Sequence, residues 1–198
     1  MKKYILVSIL SLMAIFLFGC SQEKAINVEE VKVNTVLFKN DGTIQAATVE
    51  TFDKDYYNSA ELETFITDRI NEYNSTDTAE AITLGSLKVD NGNAILLLNY
   101  ANLNAYNGFN ESSVVFTTAA AAKAGEGTLP EVFVSASDGA YVAPDVALKN
   151  DKYKVIVLND NTELVVDGKI KYFTNGKLIS KSKFQASGEK ESVVIYKP

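Results

Sequence analysis

The kinds of side chain that could carry out catalysis are limited in this chain, because its 198 residues contain no His and a single Cys. Without His there is no Ser-His-Asp or Cys-His arrangement, no imidazole general base and none of the usual zinc or iron ligand sets. Any catalysis would have to use carboxylates, Lys, Tyr or Ser. The composition therefore argues against most hydrolase and metalloenzyme classes.

The segment Ser180-Lys181-Ser182-Lys183 has the S-x-x-K spacing of the penicillin-recognising enzymes. That chemistry needs the Ser at the start of a helix with the Lys one turn later, and S-D-N and K-T-G motifs elsewhere. Here the motif lies in the alternating stretch KLISKSKF, which predicts a strand with Ser180 and Lys183 on opposite faces. The companion motifs are missing, so we interpret the segment as structural.

Acidic and amide side chains gather at predicted turns, and Asn159–Glu163 (NDNTE) comes closest to a calcium loop. The offsets of a D-x-[DN]-x-[DN]-G ligand set are not present, and turn chemistry explains these residues. We therefore predict no metal and no other cofactor. A pair of carboxylates far apart in sequence, as in glycosidases, stays open.

Aromatic side chains near predicted loops are the remaining candidates for binding. Tyr100, Tyr106 and Phe109 have Asn neighbours, and Tyr56-Tyr57 form a second group. Exposed aromatic rings of this kind stack on sugars or contact proteins, so we name Tyr100, Tyr106 and Phe109 as candidate ligand or partner contacts. The alternative is that the rings pack a sheet against a helix, because aromatic residues favour strands.

The only cysteine, Cys20, directly follows an apolar segment. Met1–Lys3 is positively charged, and Tyr4–Phe18 carries no charge, which is short for a membrane-spanning helix and typical of a signal peptide. The end of this segment, LFGC, resembles the lipobox of bacterial lipoprotein precursors. The resemblance implies a diacylglycerol on the Cys20 thiol and cleavage before Cys20. A signal anchor with an incidental Cys is the alternative.

Removal of residues 1–19 would take away Lys2 and Lys3 and lower the net charge from −6 to −8. The basic residues are all Lys except Arg69. An acidic, Arg-poor chain lacks the basic surface that nucleic-acid binding requires. With Cys20 lipidated, no thiol remains for a disulfide, so the fold must depend on its hydrophobic core.

Periodicity and turn signals predict a polar tether over residues 20–30 and a single α+β domain over residues 31–198. The expected architecture is mainly antiparallel β-sheet with one main amphipathic helix and a β-rich C-terminal part. Asp41-Gly42 and Asn91-Gly92 predict hairpin turns. Residues 140–151 show little periodicity and form either a long loop or a subdomain seam.

The main helix is predicted over Ser59–Tyr73, with Asn58 or Ser59 as its N-cap. Its apolar face contains residues at helical spacing, namely Leu62, Phe65, Ile66, Ile70 and Tyr73.

The layout of hairpin, helix and β-rich tail is similar to that of small, uncharacterised surface lipoproteins of Gram-positive bacteria. The resemblance implies a lipid-anchored, non-enzymatic binding or scaffolding module on the extracytoplasmic side of the cell membrane. Its expected partners are the membrane, through the lipid on Cys20, and a cell-wall polymer or envelope protein. The alternatives are a carboxylate-based hydrolase acting on envelope polymers and an accessory solute-binding lipoprotein.

Overall fold

The structure, a computed structural model, describes residues 24–76, 80–125 and 129–198. Its strands are β1 Thr35–Phe38, β2 Ile44–Thr51, β3 Ile82–Asp90, β4 Asn93–Tyr100, β5 Val115–Thr118, β6 Phe133–Ser135, β7 Tyr141–Val142, β8 Lys154–Leu158, β9 Glu163–Val166, β10 Lys169–Phe173, β11 Gly176–Ser180, β12 Lys183–Ala186 and β13 Ser192–Lys197. Its helices are α1 Ser59–Thr76, α2 Leu103–Asn110, α3 Ala119–Lys123 and α4 Pro144–Ala147. The predicted α+β class is confirmed.

The strands form two sheets. The seven-stranded sheet has the order β11-β12-β9-β1-β2-β4-β3, and the six-stranded sheet has the order β5-β8-β13-β10-β6-β7. All neighbours pair antiparallel except β1 and β9, which are parallel and join the N-terminal hairpin to the C-terminal part of the chain. The stretch over residues 140–151 contains β7, which pairs with β6, and α4.

One hydrophobic core lies between the two sheets. The seven-stranded sheet contributes Phe38, Leu164 and Phe184, and the six-stranded sheet contributes Ile156 and Tyr196. The outer face of the six-stranded sheet is covered by α3 and α4, which form a second apolar cluster with β8 and β13. Strands β8 and β13 are therefore buried on both faces, which explains their continuous runs of Val and Ile.

Helix α1 confirms the predicted helix and extends it to Thr76. Asn58 caps it, because its side-chain oxygen accepts hydrogen bonds from the N–H groups of Ala60 (2.9 Å) and Glu61 (3.3 Å). The predicted apolar face is wrong at Phe65, whose side chain is 63% exposed. The helix packs on β3 through Ile66 and Ile70, which turns Phe65 towards solvent.

Both predicted Gly turns form hairpins, β1–β2 and β3–β4. The stretch KLISKSKF is a third hairpin, where we predicted one strand. The chain reverses after Ser180, and Ser180 pairs with Lys183 across the turn. The two residues therefore do not lie on opposite faces of one strand, as we predicted. The S-x-x-K spacing therefore lies in a hairpin turn and not at a helix start.

Residues 24–34, which we call the N-terminal strap, are docked on the seven-stranded sheet, although residues 20–30 were predicted to be a tether. Lys24 Nζ donates to the carbonyl of Val166 (2.7 Å), and the N–H of Ile26 donates to the side-chain oxygen of Gln45 (3.0 Å). The carbonyl of Asn34 accepts a hydrogen bond from the N–H of Glu163 (2.8 Å). The strap is thus tied to both halves of the chain.

Candidate functional site

The segment over residues 168–188 contains five lysines and no Asp or Glu, in a chain whose net charge is −6. It includes β10, β11, β12 and their connections. The segment crosses from the six-stranded sheet to the edge of the seven-stranded sheet, and three of its lysines, Lys169, Lys171 and Lys181, line one groove. This concentration of positive charge makes the segment a candidate surface for binding anions.

A groove of about 570 Å³ opens within this segment. We call it the lysine groove, and its lining residues are Ser135–Ser137, Tyr153, Lys169–Tyr172 and Leu178–Lys181. Three lysines (Lys169, Lys171 and Lys181) share the lining with Ser hydroxyls, tyrosine rings and the apolar side chains of Leu178 and Ile179. Its volume lies within the range of ligand sites in proteins, about 300–1,000 Å³.

Backbone hydrogen bonds fix the walls of the lysine groove on its floor, strand β10. On one side, the N–H of Ala136 donates to the carbonyl of Lys171 (2.9 Å). On the other side, the N–H of Ile170 donates to the carbonyl of Lys181 (2.8 Å), at the tip of the β11–β12 hairpin. The groove is therefore built from regular structure on a strand whose Ile170 is buried between the sheets.

One carboxylate, Asp138, directly follows the lining residue Ser137 in the sequence. The hydroxyls of Ser135 and Ser137 lie 2.9 Å apart, and hydrogen bonds from Ser135 and from the N–H of Ala140 lower the pKa of Asp138. Asp138 therefore stays ionised at neutral pH, and it does not line the groove, whose charged lining residues are the three lysines.

Lys24 extends the positive region from the groove to the strap. Burial and repulsion from Lys181 and Lys183 lower the pKa of Lys24, while Asp167 acts in the opposite direction. Lys183 itself forms an ion pair with Glu163, with Nζ and Oε1 2.9 Å apart. The start of the strap thus lies beside the β11–β12 hairpin.

The chemistry that this arrangement supports is anion binding. A Lys ammonium carries three N–H donors and acts as a point charge towards phosphate or carboxylate groups. Ser hydroxyls next to the lysines supply neutral donors, and tyrosine and isoleucine side chains supply apolar contact. A ligand with anionic groups on a carbon backbone would use all three kinds of contact.

The aromatic residues named from the sequence lie elsewhere. Tyr100 and Tyr106 are buried, with ring centroids 5.2 Å apart, and Tyr100 is hydrogen-bonded to Asn110 (3.1 Å). Burial raises the pKa of Tyr100 to about 12. Phe109 is half-buried against Tyr73, 5.7 Å away. Tyr100 and Tyr106 point into the core from β4 and α2, whereas Phe109 lines a shallow pocket together with Tyr73.

The other aromatic group is exposed in part. Tyr57 stacks on Phe52 with centroids 4.7 Å apart, and Tyr56 is 78% exposed beside it.

Cys20 lies outside the described residues, so its predicted lipid stays a prediction. Within the described ranges, no helix is long and apolar enough to span a bilayer. In the same ranges, no group of three or more His, Cys, Asp or Glu side chains is placed to hold a metal ion. Glu163 of the NDNTE segment pairs with Lys183, and Asn161 accepts a hydrogen bond from Gln185 (2.8 Å), so both have structural roles.

Sequence reasoning did not identify the lysine groove. The signal was present as a run of lysines without acids, but no local pattern shows that Ser135–Ser137 and Lys24 join it.

Comparison with known proteins yields no match: no family model matches the chain, and neither does a curated protein or a solved structure. The chemistry of the lysine groove and the N-terminal signal are therefore the grounds for a functional proposal.

Proposed function

We propose that the chain is a lipid-anchored, non-enzymatic binding module on the extracytoplasmic side of the cell membrane, whose lysine groove binds an anionic polymer of the envelope. The observation that carries this proposal is the acid-free segment over residues 168–188, whose lysines Lys169, Lys171 and Lys181 line one groove. In an acidic protein such segregation favours a polyanion, because the rest of the surface repels it and directs it to the groove.

The anchor rests on the sequence signal at Cys20. One acyl chain binds membranes only marginally, and the diacylglycerol that the lipobox implies supplies two. Lys24 follows Cys20 by four residues and is bonded to Val166, so a lipid on Cys20 would hold the folded domain close to the bilayer. The groove would then meet polymers at the base of the cell wall.

The alternative of a carboxylate-based hydrolase finds less support. A general acid at neutral pH needs a raised pKa, as burial of a carboxylate produces. Two carboxylates have the opposite character, because hydrogen bonds from Thr43 and from Ser135 lower the pKa of Asp41 and of Asp138. Both are held as ionised turn residues.

Binding of inorganic polyphosphate to the full chain, followed by calorimetry at several salt concentrations, tests the groove. We expect salt-dependent binding that the triple variant Lys169→Gln, Lys171→Gln, Lys181→Gln weakens at least tenfold. Lys149→Gln, at an exposed lysine outside the groove, should leave binding unchanged.

Equal losses in the triple variant and in Lys149→Gln would mean that the protein binds polyanions without a site. Cleavage of an envelope polymer by the purified protein, abolished by changing a single Asp or Glu, would favour the hydrolase instead.

A further inference from the structure

Charge is segregated between the two edges of the seven-stranded sheet. Strand β11 forms one edge, with Lys177 exposed, Ile179 49% exposed and Lys181 in the turn that follows. Strand β3 forms the other edge and packs against α1, whose exposed charges are the acids Glu61, Glu63, Asp68 and Glu72 and one base, Arg69, which pairs with Glu72. Six strand spacings of about 4.8 Å separate these edges by roughly 29 Å.

The start of the strap lies near the basic edge. Lys24 Nζ donates to the carbonyl of Val166 in β9, and the N–H of Val166 donates to the carbonyl of Ser182 (3.0 Å), which lies in the turn after β11. A lipid on Cys20 would be joined to Lys24 by four residues of chain, which span at most about 14 Å. We call Lys24, Lys177, Ile179 and Lys181 the lysine edge.

We propose that the lysine edge rests on the anionic headgroups of the membrane that holds the Cys20 lipid. The inference depends on the lipid anchor proposed above. A lipid combined with a basic patch is a stable two-part anchor, and Ile179 supplies an apolar side chain at the level of the headgroups. The same surface repels the acidic α1 edge, which therefore points away from the membrane.

This orientation also determines where the lysine groove lies relative to the membrane. Ile179 and Lys181 belong to both the edge and the groove, while Lys169 and Lys171 lie on β10 in the other sheet. An anionic polymer bound by these two lysines would therefore lie next to the membrane surface.

The test compares two labelled variants of the full lipidated chain, Ile179→Cys and Val89→Cys. The two positions are matched, because both are exposed β-branched residues on edge strands, at 49% and 40%. With the Cys20 thiol occupied by lipid, only the new thiol reacts with an environment-sensitive dye. Each protein is reconstituted in mixed phosphatidylglycerol–phosphatidylcholine vesicles that contain a headgroup-attached quencher.

We expect the dye at position 179 to be quenched severalfold more than the dye at position 89. The difference should shrink in pure phosphatidylcholine vesicles, and at about 1 M salt, where the Debye length is about 3 Å. Adding Lys177→Gln and Lys181→Gln to Ile179→Cys should lower the equilibrium constant for contact between the lysine edge and the membrane, by about fivefold for each lysine removed.

Equal quenching at both positions, or quenching at position 179 that ignores anionic lipid and both lysine changes, would overturn the proposal. An intact mass is recorded for each sample. A chain without lipid on Cys20 would refute the proposed anchor and this inference together, whereas a lipidated chain with equal quenching would refute only the orientation.

Discussion

The packing of α1 gives a quantitative prediction from two residues of the same helix. Ile70 is 6% exposed and packs in the core beside Ile66, whereas Phe65 is 63% exposed. Ile70→Ala removes three carbon atoms, at about 0.8 kcal/mol for each buried methylene, and leaves a cavity. We expect a loss of about 3 kcal/mol of unfolding free energy.

Phe65→Ala is the matched control, because it removes a larger side chain from the solvent-facing side of the same helix. Substitutions at such surface positions usually change stability by less than about 0.5 kcal/mol. Urea titrations followed by circular dichroism measure both variants. With a slope of about 1–3 kcal/mol per molar urea, Ile70→Ala should lower the midpoint by roughly 1–3 M. A shift for Phe65→Ala as large as that for Ile70→Ala would refute the packing described here.

Two further predictions concern a buried phenol and a strand glycine. Burial raises the pKa of Tyr100 to about 12, so the folded state keeps its proton while the unfolded state loses it above about pH 10. The stability from Tyr100 is therefore complete below pH 10 and is lost as the pH rises towards 12. Between pH 9 and pH 11, the unfolding temperature should fall less for Tyr100→Phe than for the unchanged chain. An identical fall in the two proteins would contradict the burial of this hydroxyl. At Gly176, an added Cβ would lie 2.3 Å from the Phe184 ring and 2.4 Å from the Gln185 carbonyl. Gly176→Ala should cost about 1–3 kcal/mol, measured in the same urea titration, and an unchanged midpoint would mean that the β11–β12 hairpin is looser than described.

Local signals predicted much of the fold. Asp41-Gly42 and Asn91-Gly92 marked two hairpins because these residues accept the positive φ angles of tight turns, and φ is +93° at Gly42 and +73° at Gly92. Asn58 marked the start of α1 for a similar reason, since a cap depends on the next three residues only. Thr118 caps α3 in the same way, because its hydroxyl accepts a hydrogen bond from the N–H of Ala121 (3.2 Å).

The wrong predictions concern features that contacts between distant parts of the chain determine. Phe65 fits the helical period as well as Ile66 does, and only the position of β3 selects between them. The turn after Ser180 has no Gly, Asn or Pro, so its alternating residues conceal a reversal of the chain. The strap reads as a polar tether, yet Lys24 bonds to Val166, 142 residues away.

The candidate site likewise combines a local sequence signal with contacts that the sequence does not reveal. The five lysines of residues 168–188 can be counted in the sequence, but their meeting with Ser135–Ser137 depends on β10 pairing with β6. Tyr100 and Tyr106 were candidate contacts because Asn residues surround them. The structure uses one of those residues, Asn110, to bond the buried Tyr100 hydroxyl. A polar neighbour therefore did not indicate exposure.

The lipid on Cys20 is the central claim, because both the proposed function and the membrane orientation depend on it. The most direct measurement is the mass of the N-terminal peptide from protein extracted from membranes with detergent. The account predicts a peptide that begins at Cys20 and carries a diacylglycerol, and a Cys20→Ser chain that lacks it and leaves the membrane fraction or stays uncleaved. An unmodified Cys20 within a chain that still begins at Met1, or a Cys20→Ser chain processed to the same size and held as firmly in the membrane, would contradict it.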